Sequence, residues 1–265
     1  MTSTLSLSTV IEGRHSRLYV EQEGNPAGPA ILFIHGLGGT TNSYQPLVHS
    51  LQEFNLIRFE WSGHGRSSVA PNATINTYVD DCEDVIAYFG LKSLTVVGHS
   101  LGGLIAMHLA TRQPDLITKL VLFGPVRAPP PAGQAGCTAR AAAVRSGGTA
   151  AVADAVVQNA LSATTFRDRW VVAGFARELL SRQDSEGYAL ACLALGHSQD
   201  PQWARIRAKL TVVSGSEDKV SSPAVCQSIV VAVEDASLVT LEDCGHWHML
   251  EDSKASIEVL RSALA

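Results

Sequence analysis

The chain has no basic cluster. Its 20 lysines and arginines are outnumbered by 25 aspartates and glutamates, giving a net charge of −5. A nucleic-acid backbone is held by grouped cations, so no nucleic-acid partner is expected. Long apolar runs are also missing, since charge or glycine interrupts each of them, and no membrane span or membrane partner is expected. Residues 1–10 are polar and Ser/Thr-rich, without the basic and apolar regions of a secretory signal. Five cysteines (Cys82, Cys137, Cys192, Cys226, Cys244) are widely spread with no C-x-x-C. Reduced thiols and a cytoplasmic location are therefore expected. Cys244 is expected to be a packed, inert thiol. No H-E-x-x-H occurs, and Cys244-x-His246 lacks a partner pair, so no metal is expected. No G-K-[ST] follows Gly38-Gly39, so that loop is not read as a phosphate cradle. No cofactor is expected.

What is present is a chain of 265 residues, 46% hydrophobic and 17% charged. That is enough for one sizeable core with an insertion. Strand and helix patterns alternate through the first half. Strands are expected at Arg17–Glu23, Ala30–His35, Leu56–Trp61, Leu94–Val97 and Lys119–Phe123. Helices are expected at Ser43–Gln52, at Thr74–Phe89 with Thr74 as N-cap and Gly90 as its stop, and at Leu101–Arg112. From Gly124 to about Ile206 the alternation stops. A proline run (Pro129-Pro130-Pro131) leads into Ala-rich helical patterns at Ala139–Arg145, Ala150–Leu161, Phe166–Leu180 and Ser185–Leu195. Strands return at Leu210–Ser214 and Ser237–Leu241, with helices at Ser222–Val231 and Met249–Leu264. The expected architecture is an α/β fold with a mostly parallel, helix-flanked sheet, built from residues 1–124 and 207–265. Residues 125–206 would form a helical cap over the carboxyl end of the sheet, where open α/β sheets bind ligands.

The most informative segment is Gly98-His99-Ser100-Leu101-Gly102. It is G-x-S-x-G between a β-branched strand and a helix, the context that pushes a serine hydroxyl out on a tight turn. A serine nucleophile needs a base, a group to orient that base, and donors for an oxyanion. The base candidate is His246, with His248 as its rival; His248 is expected to contact the cap or solvent. The orienting acid candidate is Asp218, with Glu217 and Asp243 as rivals. The order Ser…Asp…His then follows. Oxyanion donors would be the backbone amides of Leu101 and of Leu37, the latter in His35-Gly36-Leu37-Gly38-Gly39. On a regular helix Phe166 and Trp170 share one face and Phe175 points elsewhere. Core packing is the default reading of all three, and they are also the candidate substrate-facing aromatics.

The His35-Gly36 loop, Gly63-His64-Gly65-Arg66-Ser67, Gly98–Gly102, Gly215–Asp218 and Gly245-His246 occur in one order over nearly the whole core. In this the chain resembles the α/β-hydrolases. The resemblance implies Ser100 as nucleophile, His246 as general base and then acid, and Asp218 as orienting carboxylate. The cap segments Arg140–Arg145, Ala151–Ala155 and Gly187-Tyr188-Ala189 are most similar to those of 3-oxoadipate enol-lactonases. The chain departs from them in having His35-Gly36 for Asn-Ser and His99 for Leu. Those enzymes also tend to place an Arg-Trp pair in the cap; the only such pair here is Arg169-Trp170. The function implied is hydrolysis of a small carboxylic ester or lactone through an acyl-enzyme. Carbon–carbon bond hydrolysis or cofactor-free perhydrolysis on the same residues is the alternative, and a non-catalytic small-ligand receptor is the remote one.

Overall fold

A computed structural model describes residues 7–265. Its eight strands are β1 (Leu7–Glu12), β2 (Arg17–Gly24), β3 (Ala30–Ile34), β4 (Asn55–Glu60), β5 (Leu94–His99), β6 (Ile117–Phe123), β7 (Lys209–Gly215) and β8 (Ala236–Leu241). They form one sheet in the order β1-β2-β4-β3-β5-β6-β7-β8. The pairs β1–β2 and β2–β4 are antiparallel and all others parallel. This is the mostly parallel, helix-flanked sheet expected from the alternating pattern, and the α/β-hydrolase fold implied by the resemblance. Strand β1 was not anticipated. Only Ile11 of its six residues is buried, so an edge strand with one core contact leaves little periodic signal.

The pleat sorts the central strands between two cores. In β3, Leu32 and Ile34 enter one cluster while Ile31 and Phe33 enter the other. Strand β6 divides the same way, with Leu120 and Leu122 against Val121 and Phe123. Such two-sided burial is why these strands read as continuous apolar runs rather than alternating ones.

The helices are α1 (Gln45–Val48), α2 (Ile75–Tyr88), α3 (Leu101–Arg112), α4 (Pro131–Gly147), α5 (Ala150–Ala160), α6 (Ala163–Asp168), α7 (Trp170–Ser181), α8 (Ser185–Gly196), α9 (Pro223–Ala232), α10 (His248–Glu251) and α11 (Ser253–Leu264). Helices α2 and α3 cover one face of the sheet, and α1 and α11 the other. The Thr74 side chain caps α2 by accepting from Thr77 N–H, and Gly90 follows it at φ +61. Five helices, α4–α8, lie between β6 and β7, with no strand among them. They carry their own apolar cluster, which includes Val144, Val157, Leu180 and Tyr188. No helix among the described residues is long and apolar enough to cross a membrane.

Three expected helices are broken. The stretch 43–52 is α1 flanked by 3-10 turns, with Pro46 in its first turn. The last helix divides at Asp252, whose carboxylate caps Ala255 N–H at 3.0 Å. The stretch 166–180 divides at Arg169 (φ −132, ψ 42), whose guanidinium donates to the Glu251 carbonyl. Phe166 and Trp170 therefore do not share a helical face.

On α2, Asp81 is fully buried, and its Oδ2 accepts Ser62 N–H at 2.8 Å. Burial pushes this carboxyl up to about 6, against the opposing pull of the Ser62 N–H. The folded value lies above the ordinary 3.8. Its stabilising contribution is therefore complete below that value and lost as pH rises through about 6. Asp81→Asn is expected to remove this loss. Denaturant titrations should show the variant gaining up to ~3 kcal/mol over the parent at pH 7.5 and nothing at pH 3.5.

Candidate active site

Strand β5 delivers Ser100 to the carboxyl edge of the sheet, and α3 begins with the next residue. The turn between them is forced. Ser100 itself sits at φ +52, ψ −118, an unfavourable region for a side-chain-bearing residue. The neighbouring backbone leaves no room for a β-carbon at the motif's glycines. One on Gly98 would lie 2.7 Å from the Gly102 carbonyl, and one on Gly102 would lie 2.2 Å from the Ile34 carbonyl. This crowding is the physical content of the two glycines in the pentapeptide.

The loops after β7 and β8 meet beside Ser100. His246 Nδ1 and Asp218 Oδ2 are 2.8 Å apart, and both residues are buried. The other Asp218 oxygen accepts Val220 N–H and Ser221 N–H, each at 2.8 Å. Burial pushes the Asp218 carboxyl up, but the facing His246 imidazole, His248 and the Ser221 N–H outweigh it. The net shift is downward, so the group is ionised. An ionised Asp218 requires the proton on His246 Nδ1, which leaves Nε2 as an acceptor. Ser100 and His246 line the same cavity, of about 630 Å³. The Ser100 hydroxyl has no hydrogen-bond partner among the described residues.

Leu37 and Leu101 line that cavity too. Leu101 opens α3, where the first amides have no intrahelical acceptor. Leu37 N–H likewise has no acceptor among the described residues. The loop carrying Leu37 is pressed onto the serine turn: a β-carbon on Gly36 would lie 2.7 Å from His99 Nδ1 and 3.0 Å from Ser100 Cβ. His35 Nδ1 donates to the Gly36 carbonyl at 2.8 Å, within the same loop. His99 packs beneath the turn, 2.8 Å from the His246 carbonyl through Nε2.

The helical insertion closes over these groups. Arg140, Val156, Asn159 and Tyr188 supply cavity wall from α4, α5 and α8. None of Phe166, Trp170 and Phe175 lines it. Trp170 is 72% exposed, Phe175 stands on the outer surface of α7, and Phe166 packs inside the insertion's own cluster. The break at Arg169 separates α6, which carries Phe166, from α7, which carries Trp170 and Phe175. The aromatic rings on the wall are instead Tyr188 and Trp247, among small aliphatic side chains such as Ala143, Ala151, Ala155 and Val152. His248 also differs from expectation. It is closed off from solvent, with its ring centroid 6.0 Å from that of Phe123, and burial lowers it to about 4. Cys244 is fully buried and its thiol is pushed up, as expected of an inert thiol. Among the described residues no group of three or more His, Cys, Asp or Glu could hold a metal ion.

Three residues with a place at the site were not singled out by sequence. Gly124, at φ +50, lies against the Asp218–His246 pair; a β-carbon there would come 2.9 Å from Asp218 Oδ2 and 3.1 Å from His246 Nδ1. Gln183, buried in the insertion, donates to the Gly38 carbonyl at 3.1 Å and accepts Gly65 N–H at 3.0 Å. Glu251 accepts from the two amides flanking His246. A glycine at a strand end was a visible signal. The other two are polar residues with no motif of their own.

Comparison with known proteins agrees with this fold. Chains of known structure superpose along almost the whole length. The enol-lactonase from Burkholderia xenovorans LB400 is 26% identical at a TM-score of 0.90, over 97% of this chain and 99% of that one. A thermophilic esterase from Thermogutta terrifontis, at 23% identity and a TM-score of 0.91, covers 97% and 98% and shares the fold. Among curated sequences, the lipase LipV of Mycobacterium tuberculosis is 39% identical over 109 residues, 41% of each chain. A carbamate hydrolase RutD of Agrobacterium fabrum, described as putative, is 35% identical over 98 residues, 36% of this chain and 38% of that one. The match thus spans less than half the length of these curated relatives. The profile of the alpha/beta hydrolase family matches residues 31–259. The chain belongs to the alpha/beta hydrolase family.

Proposed function

We propose that the protein hydrolyses a small carboxylic ester or lactone through an acyl-enzyme on Ser100. The observation that carries this is the buried Asp218–His246 pair at 2.8 Å, opening on the same cavity as a serine held on a strained strand-to-helix turn. Ser100 Oγ attacks the substrate carbonyl as its proton passes to His246 Nε2. Asp218 stays ionised and stabilises the imidazolium. The carbonyl electrons move onto the oxygen, which the Leu37 and Leu101 amides receive; each such donor is worth about 3–4 kcal/mol in the transition state. Collapse breaks the carbonyl–alkoxy bond and the Nε2 proton goes to the leaving oxygen. In a lactone that alcohol stays tethered to the acyl group. Water then attacks with Nε2 as base, and Ser100 recovers its proton as the acid leaves. The free Ser100 hydroxyl has to turn onto Nε2 when substrate enters, as catalytic hydrogen bonds often tighten only in the complex.

In this reading residues 125–206 act as the cap. The cap narrows the choice of substrate. Arg140 is the one Lys, Arg, Asp or Glu on the cavity wall; it is partly open to solvent and makes no ion pair among the described residues. An unpaired guanidinium beside aliphatic walls favours a substrate with an anionic group away from the scissile carbonyl. An enol-lactone of an oxo-dicarboxylic acid carries such a group. Arg140→Gln is expected to raise KM for a dicarboxylate monoester roughly tenfold and to leave KM for the neutral diester unchanged. Steady-state kinetics on the two esters checks this. The reading as a whole is tested by turnover of p-nitrophenyl esters and a lactone panel, with Ser100→Ala as control.

A further inference from the structure

One buried carboxylate grips the loop that carries His246 and ties it to the helical insertion. Glu251 ends α10 and is 2% exposed. Its Oε1 accepts Trp247 N–H at 2.9 Å, and its Oε2 accepts Gly245 N–H at 3.1 Å. The same Oε2 accepts Ser162 N–H at 2.9 Å and the Thr165 hydroxyl at 2.8 Å, both from the start of α6. The amide in between, His246 N–H, donates to the Ala160 carbonyl at 2.7 Å. Three consecutive amides around the imidazole are thus fixed, two by Glu251 and one by the turn between α5 and α6. The two backbones are in contact: a β-carbon on Gly245 would lie 2.5 Å from the Ala160 carbonyl and 2.6 Å from Ser162 N.

The chemistry suits a carboxylate and little else. Four donors converge on two oxygens, and an ionised carboxylate accepts at both oxygens while presenting no proton of its own. Because one oxygen is shared between Gly245 and the insertion, neither loop nor α6 can shift without straining the same group.

We infer that Glu251 is a positioning residue, which transmits the placement of α6 in the insertion to the His246 imidazole. It touches neither substrate nor reacting atoms and acts through the Gly245–Trp247 amides. The inference rests on reading Ser100, Asp218 and His246 as the reacting set. Displacing a reacting group by an ångström costs about 100-fold in rate. Loss of the clamp is therefore read in kcat rather than in KM.

The test compares Glu251→Gln and Thr165→Val with the parent, using p-nitrophenyl acetate kinetics and the low-field proton resonance of His246 Nδ1–H. Circular dichroism establishes folding. Glu251→Gln keeps the shape but turns an amide NH₂ toward at least one donor. It is expected to lower kcat by roughly 30–100-fold with KM within about threefold, and to broaden or displace the resonance. Thr165→Val removes only the donor from the insertion and is expected to lower kcat by about three- to fivefold. A folded Glu251→Gln with parental kcat and resonance overturns the inference. If that variant does not fold, parental kcat and resonance in Thr165→Val overturn it instead. Ser100→Ala separates the two levels. Retained turnover there sinks the reading of the reacting set, whereas an inactive Ser100→Ala beside a parental Glu251→Gln sinks the clamp alone.

Discussion

Ser100→Ala is expected to lower kcat for esters and lactones by about 10⁴- to 10⁶-fold, while ligand binding in the cavity stays close to that of the parent. The substitution removes the atom that forms the acyl bond and leaves every other feature in place. The amides of Leu37 and Leu101 do not depend on the hydroxyl, so a residual rate above that of water would persist. The fold should also hold, because the strained φ of +52 belongs to the turn and the hydroxyl has no hydrogen-bond partner to lose. Alanine at that φ keeps a β-carbon, so it neither relieves nor adds strain. The measurements are single-turnover kinetics on p-nitrophenyl acetate and calorimetric titration with a non-hydrolysable analogue. Parental turnover in the variant would end the serine-nucleophile reading.

Asp218→Asn is expected to cost roughly 10⁴-fold in kcat with the fold intact, through the wrong imidazole tautomer. The wild-type carboxylate accepts from three groups: Val220 N–H and Ser221 N–H on one oxygen and His246 Nδ1–H on the other. Asparagine has a single acceptor oxygen, and the two fixed backbone donors claim it. Its NH₂ then faces Nδ1, which must become an acceptor, and the imidazole proton moves to Nε2. Nε2 is the atom needed as base for Ser100. Replacement by alanine would instead leave buried donors unsatisfied and confuse catalysis with stability. The checks are kcat on the same ester and the low-field Nδ1 proton, which should vanish. The depressed Asp218 value also has a stability consequence. Its contribution is present above the ordinary carboxylate range and lost as pH falls, the opposite sign to that of Asp81.

The sheet and its order of elements were legible because strands buried on both faces must be apolar throughout. The elbow was legible because only glycine fits against the carbonyls of Ile34 and Gly102. Motifs built on such contacts leave residue types that can be recognised one by one. Helix breaks at Asp252 and Arg169 were not legible. The break at Arg169 depends on a partner brought from elsewhere, the Glu251 carbonyl 82 residues beyond it, whereas the break at Asp252 is made by a local cap on Ala255 N–H. Edge strand β1 escaped for the related reason that its pairing with β2 leaves five of its six residues outside the core.

The site divides along the same line. Local sequence marked Ser100 and the loop of Leu37, each directly after a strand, while the resemblance to the α/β-hydrolases singled out Asp218 from Glu217 and Asp243, and His246 from His248. Which side chains face the cavity was decided only by packing. A helical pattern states which residues share a face, but not where that face points. Trp170 and Phe175 are exposed, while Arg140, Asn159, Tyr188 and small aliphatic residues form the insertion's part of the wall. The buried hubs Gln183 and Glu251 were decided the same way. Their meaning lies in donors and acceptors up to 145 residues distant in the chain, and such pairings exist only once the backbone has folded.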